Sequence, residues 1–272
     1  MPELPEVENV RKSLTDLVAG RKILELSAAY PRMVLTGFDQ AKATLEGQTI
    51  RGISRRGKYL IFEFDAFVLI SHLRMEGKYR LEALDFVAGK HDHLFVKFSD
   101  GVLVYQDVRK FGTWEILRRE ETAKYFENKK IGPEPTASTF DEAIFSEKLG
   151  QSKKKIKPYL LDQSLVAGLG NIYADEVLWQ AKIHPERIAS DLTEPSKKLL
   201  HDSIIEILQK AIKLGGSSIR TYQNALGKSG TMQEELKVYG KTGQNCSRCA
   251  TKIVKIKVAG RGTHFCPNCQ HL

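Results

Sequence analysis

Four cysteines close the chain in two tight pairs. Two residues separate Cys246 from Cys249, two separate Cys266 from Cys269, and sixteen lie between the pairs. Four thiolates so spaced surround one ion in tetrahedral geometry, which suits Zn2+. Sulfur then takes every coordination position and none is left for water. The single Zn2+ expected here is therefore structural. Two disulfides are the other arrangement four cysteines permit, and a cytosolic chain with paired spacing disfavours them. The intervening TKIVKIKVAGRGTHF reads as a β-hairpin with Gly260-Arg261-Gly262 near its turn. The ion would hold a basic hairpin, Arg261 included, against a partner.

The opening MPELPEVENV offers a second chemistry. A small residue at position 2 normally lets the initiator methionine be removed, and Pro2 then becomes a free secondary amine. An α-amino group titrates near 7.7–8.0, against about 10.4 for lysine, so an appreciable fraction is neutral and nucleophilic at physiological pH. Attack on a sugar C1′ gives a carbinolamine and then an iminium. A secondary amine's iminium has no N–H to lose, so it stays cationic and draws electrons from the adjacent carbon, as lysine Schiff bases do. Glu3 and Glu6 would move the protons. The same residues also read as a plain helix start. Pro5 suits a first turn, carboxylates suit the positive end of the dipole, and Val7, Val10, Leu14 and Leu17 recur at helical spacing up to Gly20.

Elements must hold these groups in place, and 272 residues suffice for about two domains with a sizeable core. No run of eighteen apolar residues exists, so no membrane span is expected. Charges at Glu3, Glu6, Glu8 and Arg11 leave no room for a signal-peptide core, which makes the cytoplasm the default address. The net charge is +9. Residues 241–272 hold six Lys/Arg and no acid, while Lys153, Lys154, Lys155 and Lys157 form a second cluster and Arg51, Arg55, Arg56 and Lys58 a third. Each alone is an ordinary solvated face. Three acid-free clusters together point to nucleic acid.

The fold expected is multidomain α+β. Residues 22–117 carry short β-rich runs, KILELSAAY, KYLIFEF, FVLISHL, LFVKF and VLVYQDV, with a hairpin turn at Ser99-Asp100-Gly101. Such runs predict an antiparallel sandwich behind the leading helix. Helical patterns follow at roughly 141–149, 159–165, 172–182 and 196–214. Residues 217–231 have neither period and read as a loop, either mobile or functional. The expected division is a β-sandwich catalytic domain at 1–130, a linker at 131–136, a helical domain at 137–231 and a finger at 232–272.

Further motifs are PELPEVE, Gly57-Lys58-Tyr59, Ser71-His72-Leu73-Arg74-Met75, Asp107-Val108-Arg109-Lys110-Phe111-Gly112, Gly168-Leu169-Gly170-Asn171-Ile172-Tyr173, and the finger with Gly260-Arg261-Gly262-Thr263. They run along the whole chain in order. Together these motifs resemble those of the formamidopyrimidine-DNA glycosylases, bacterial base-excision repair enzymes. The sister endonuclease VIII group, specific for oxidised pyrimidines, usually opens PEGPE, so Leu4 favours the first group. A non-catalytic zinc-dependent sensor of damaged DNA is the other alternative.

The resemblance implies a helix–two-turn–helix in the helical domain, a monomer, and double-stranded DNA with oxidised purines or abasic sites as partner. Pro2 would be the nucleophile, Glu3 the donor that opens the sugar ring, and Glu6 an organiser. Lys58 would bind phosphate and assist β-elimination, and Arg261 would assist δ-elimination. An enzyme acting at C1′ must extrude the nucleotide. Met75, Arg109 and Phe111 resemble the family's fillers of the vacated stack. His91, Lys153, Lys157, Asn171 and Tyr173 match DNA-contact positions, with His93 as an alternative to His91. Ser217, Arg220 and Tyr222 fall in the loop that corresponds to the lid over the extruded base.

Overall fold

The computed structural model describes residues 2–218 and 224–272. Contacts divide them into two compact units. One runs up to Lys129 and takes in Leu214–Thr231, and the other is Lys130–Lys213 with Met232–Leu272.

In the first unit, α1 (Leu4–Val18) buries Val7, Val10, Leu14 and Val18 on one stripe and stops before Gly20, whose φ is +82°. There follow β1 (Glu25–Ala28), α2 (Phe38–Leu45), β2 (Gly52–Arg56), β3 (Tyr59–Glu63), β4 (Phe67–His72), β5 (Lys78–Glu82), β6 (Asp92–Lys97), β7 (Val102–Gln106), β8 (Thr113–Arg118) and α3 (Thr122–Asn128). The strands form two four-stranded antiparallel sheets, ordered β1-β6-β7-β5 and β2-β3-β4-β8. One core joins both sheets to α1, with Leu26, Leu94, Val96 and Leu103 from the first sheet and Leu60, Phe62, Leu69 and Trp114 from the second.

The expected sandwich is present, with more elements than the five β-rich runs. β8 was hidden because only alternate residues, Trp114 and Ile116, turn inward. α2 lies in a region read as β; its Ala41 and Leu45 are one helical turn apart and both buried. Residues 137–231 were expected as one helical domain; of the described residues, 214–218 and 224–231 group with the first unit, where Ala225 joins the core and its N–H donates to Ser13 Oγ at 3.1 Å.

The second unit holds α4 (Glu142–Gly150), α5 (Ile156–Leu161), α6 (Asn171–Gln180), α7 (Glu194–Lys213), the single turn α8 (Met232–Glu235), and the hairpin β9 (Val254–Val258) with β10 (Arg261–Phe265). α5 begins three residues before its expected start at 159. Pro158 sits in its first turn, where a missing N–H costs nothing. The Asp162 carboxylate takes the Ser164 N–H and hydroxyl at 3.1 and 2.8 Å and turns the chain away from the helix. The hairpin turn is Ala259-Gly260, both at positive φ (+46° and +80°), which matches the twist of a two-residue hairpin. Arg261 is thereby the first residue of β10 and is exposed. No helix among the described residues is long and apolar enough to cross a membrane.

Candidate active site and nucleic-acid interface

At the start of α1, Pro2, the N-cap Glu3 and Glu6 are all buried, and two buried carboxylates are more than a plain helix start requires. Glu6 stands third in the helix and reaches back to accept the Glu3 N–H at 2.8 Å. Its other oxygen accepts the Ser217 N–H at 2.7 Å. Gly216, at φ +77°, lies against the same carboxylate, and a Cβ there would stand 2.8 Å from Glu6 Oε1. Only glycine lets the backbone approach that closely in that conformation.

Lys58 arrives from the β2–β3 hairpin. Arg56 pairs with Tyr59, so Gly57-Lys58 is a two-residue turn, and Gly57 supplies the required positive φ of +56°. Arg55, read as part of a basic cluster, is turned to structural use: it bonds Glu8 at 3.0 Å and the Gly57 carbonyl at 2.8 Å, fastening this turn to α1. Lys58 is only 5% exposed. Burial lowers its pKa below the ordinary lysine value, and the charges of Glu3 and Glu6 oppose the fall. The structure thus joins Glu3, Glu6 and Lys58 in one electrostatic cluster around the chain start. Such a lysine exchanges a proton more readily than a surface one.

Two loops of the same unit carry the expected fillers. In Leu73–Gly77, between β4 and β5, Arg74 takes φ +53° and donates its N–H to His72 Nδ1 at 2.9 Å; half-buried Met75 follows. In Asp107–Gly112, between β7 and β8, the buried Asp107 carboxylate accepts the N–H groups of Arg109, Phe111 and Gly112 at 3.0, 2.9 and 2.8 Å. Phe111 is 51% exposed, with the Arg109 guanidinium 4.6 Å from its ring centre. It does not pack in the core. His91 is half-buried, whereas His93 is buried with its Nε2 2.8 Å from the Asp107 carbonyl, so His91 is the one more open to a partner.

His72 yields a pH prediction. Burial first, then the charges of Arg74, Lys58 and Lys129, push its pKa down to about 3. In the unfolded chain the ring titrates near 6.5. The folded protein refuses a proton that the unfolded chain takes up. Stability is therefore complete above about pH 6.5 and is lost as the pH falls towards 3, by on the order of 5 kcal/mol at the limit. His72→Gln should flatten the fall in Tm between pH 6.5 and 4; slopes equal to those of the parent would show that another group controls the acid limb.

In the second unit, Asn171 opens α6 and its Nδ2 donates to the Gly262 carbonyl at 2.9 Å. Its buried Oδ1 has no partner among the described residues. Lys153 is exposed, near Ser190 Oγ at 3.4 Å. Two of the expected DNA contacts have buried side chains. Tyr173 is fully buried on the inner face of α6 and has no surface to offer. The Lys157 side chain is fully buried too. Its Nζ donates to Asp175 at 2.6 Å, Thr263 Oγ1 at 2.8 Å and the Gly262 carbonyl at 3.2 Å. Lys157 therefore holds the finger hairpin beside Asn171. The other Asp175 oxygen accepts the His264 N–H at 2.8 Å, with His264 Nδ1 at 3.1 Å. Adjacent Glu176 accepts the N–H groups of Lys237, Val238 and Tyr239 at 2.7, 2.9 and 2.8 Å. Two neighbouring carboxylates of α6 thus grip the finger at two points.

Sequence reasoning missed Asp107, Asp175 and Glu176. The available signal was an acid pair inside the otherwise apolar NIYADEVLW, and an aspartate just ahead of a glycine-closed loop. Of the loop positions 217, 220 and 222, Ser217 is buried, and Arg220 and Tyr222 lie outside the described residues.

The four cysteines are free thiols whose sulfurs all lie within 4.8 Å of one another. A tetrahedron with Zn–S of about 2.3 Å has edges of roughly 3.8 Å, so the cluster fits one zinc ion. The Cys246–Cys269 and Cys249–Cys266 separations, 4.0 and 3.4 Å, bracket that edge. Trp179 Nε1 points at Cys246 Sγ at 3.4 Å, and backbone N–H groups of Arg248 and Cys269 point at sulfurs at 3.5 Å, as suits thiolate ligands.

A buried acid–lysine cluster at a helix start on a β-sandwich unit, and a four-thiolate finger on the other unit, mark a zinc-finger protein with a candidate acid–base site. Family models match in chain order: the formamidopyrimidine-DNA glycosylase N-terminal domain over residues 1–114, the H2TH domain of that glycosylase over 131–223, and the zinc finger found in FPG and IleRS over 243–272. The chain belongs to the formamidopyrimidine-DNA glycosylase family. It is 69% identical over 272 residues to a formamidopyrimidine-DNA glycosylase of Lactococcus lactis subsp. cremoris, covering 99% of each chain. It is 58% identical over 271 residues to one from Streptococcus thermophilus, again covering 99% of each. Among solved structures, Lactococcus lactis Fpg complexed with abasic-site DNA matches at a TM-score of 0.97 and 68% identity, over 99% of this chain and 100% of that one. The same enzyme with DNA containing N7-benzyl-Fapy-dG matches at 0.97 and 68%, over the whole of both chains.

Proposed function

We propose that the chain is a bifunctional DNA glycosylase and AP lyase of base excision repair, acting on 8-oxoguanine, formamidopyrimidines and abasic sites in duplex DNA. The observation that carries this reading is the burial of Glu3, Glu6 and Lys58 as one cluster beside Pro2. The relatives' complexes, with abasic-site, Fapy-dG and 8-oxo-G DNA, support the substrate class.

With Met1 removed, the Pro2 nitrogen attacks C1′ and the bond to the damaged base breaks. Glu3 gives a proton to the ring oxygen O4′, the sugar opens, and a cationic iminium forms. Loss of a proton from C2′ expels the 3′ phosphate, and a second elimination expels the 5′ phosphate, leaving a one-nucleotide gap. Lys58 moves protons in these eliminations. Glu6 holds Glu3 and the Gly216-Ser217 backbone in register. Arg261 assists the second elimination.

Met75, Arg109 and Phe111 fill the vacated stack, and His91, Lys153, Asn171 and Arg261 contact phosphate. Lys157 and Tyr173 act from within the fold. Ser217, whose buried hydroxyl has no partner among the described residues, is available to the extruded base. Cys246, Cys249, Cys266 and Cys269 hold zinc, which takes no part in the chemistry. The enzyme works as a monomer on the bacterial nucleoid in the cytoplasm.

Borohydride trapping on an 8-oxoguanine duplex, with mass spectrometry of the crosslinked peptide, tests the reading. The expected adduct is on the Pro2 nitrogen. Tight binding of the lesion duplex by chains shown to lack Met1, without any adduct, would make the protein a sensor.

A further inference from the structure

Tyr105 stands on β7, paired with Tyr79 of β5 and Leu94 of β6, and its ring lies 4.9 Å from that of Tyr79. Its hydroxyl reaches the foot of both filler loops. A Cβ built on Gly77 would lie 2.2 Å from Tyr105 Oη, and one built on Gly112 only 1.7 Å away. The oxygen occupies space that two side chains would need. It is buried and has no hydrogen-bond partner among the described residues. The neighbouring Tyr79 hydroxyl, by contrast, bonds Ser71 Oγ and Trp114 Nε1, both at 2.7 Å. A buried hydroxyl without a partner costs stability. Stability does not account for this oxygen, and its position does.

Each loop has an internal brace, His72 for the first and Asp107 for the second. Tyr105 touches both. We propose that Tyr105 is a positioning residue whose hydroxyl spaces the two loops, so that Met75 on one and Arg109 with Phe111 on the other enter the duplex as a single wedge. This rests on the reading of those three residues as fillers of the vacated stack.

Tyr105→Phe removes one atom and keeps the ring. Loops no longer held apart should misplace the wedge, and a shift near 1 Å is enough to lower single-turnover excision from an 8-oxoguanine duplex by roughly tenfold. Cleavage at an abasic site in single-stranded DNA needs no wedge and should stay within about twofold. Tm should not fall. Phe111→Ala is run in parallel, and its ratio of duplex to single-strand cleavage should also drop. If Phe111→Ala lowers that ratio and Tyr105→Phe does not, the spacer role is wrong and the filler reading stands. If neither lowers it, the filler reading fails and takes the spacer role with it. An equal loss on both substrates in Tyr105→Phe would assign the hydroxyl to the fold or the chemistry, and would overturn the proposal.

Discussion

Chains that keep Met1 will bind lesion-bearing duplex and cut it more than about 10³-fold slower than processed chains, the scale on which loss of a nucleophile registers. Methionine ahead of Pro2 turns the secondary amine into a tertiary amide. Its lone pair is delocalised into the carbonyl, and no iminium can form from it. Glu3, Glu6 and Lys58 would remain in place, so the proton-transfer groups cannot substitute for the missing electron sink. In a mixed preparation the single-turnover amplitude should equal the fraction of chains that intact mass shows to lack Met1. An amplitude independent of that fraction would remove Pro2 from the mechanism and leave Lys58 as the candidate amine.

Breaking the Lys157–Asp175 pair comes second in expected size. Both side chains are fully buried and their charges are 2.6 Å apart. Removing one partner leaves the other charged in a low-dielectric site, which costs about 3–5 kcal/mol. Asp175→Asn and Lys157→Met should each show that loss in urea unfolding. The double variant should recover part of it, because a pair of neutral groups strands no charge. DNA affinity should fall in the single variants even where most chains stay folded, since this pair holds Gly262 and Thr263, next to Arg261. Single variants that each cost under about 1 kcal/mol would mean that water reaches the pair and screens it.

Both predictions start from residues that the sequence displayed, but only for one pair did it also indicate the surroundings. That Pro2 and Glu3 lie together at a helix start was legible, because they are neighbours in the chain. Lys157 was read with Lys153, Lys154 and Lys155 as one basic face. The four diverge in the fold: Lys157 faces inward on α5, and Lys153 to Lys155 precede the helix and are exposed. A run of like charges says nothing about which member a helix turns inward. The burial of Tyr173 was hidden for a related reason. It lies within the Gly-Leu-Gly-Asn-Ile-Tyr motif, yet helical geometry turns it inward while Asn171 stays at the helix start.

The zinc site and the antiparallel sandwich behind a leading helix were legible in the residues alone, and so was the presence of an amine and carboxylates at the chain start. Local spacing carries that information: two Cys-x2-Cys pairs, short β-rich runs, and an amine beside carboxylates. Which charges turn inward was set by packing. It turned Asp175 and Glu176 onto the finger, brought Gly216-Ser217 to Glu6 across more than two hundred residues, and set the Tyr105 hydroxyl between Gly77 and Gly112. These partners are far apart in the chain. Their meeting is fixed by how sheets and helices pack, and no local pattern records it.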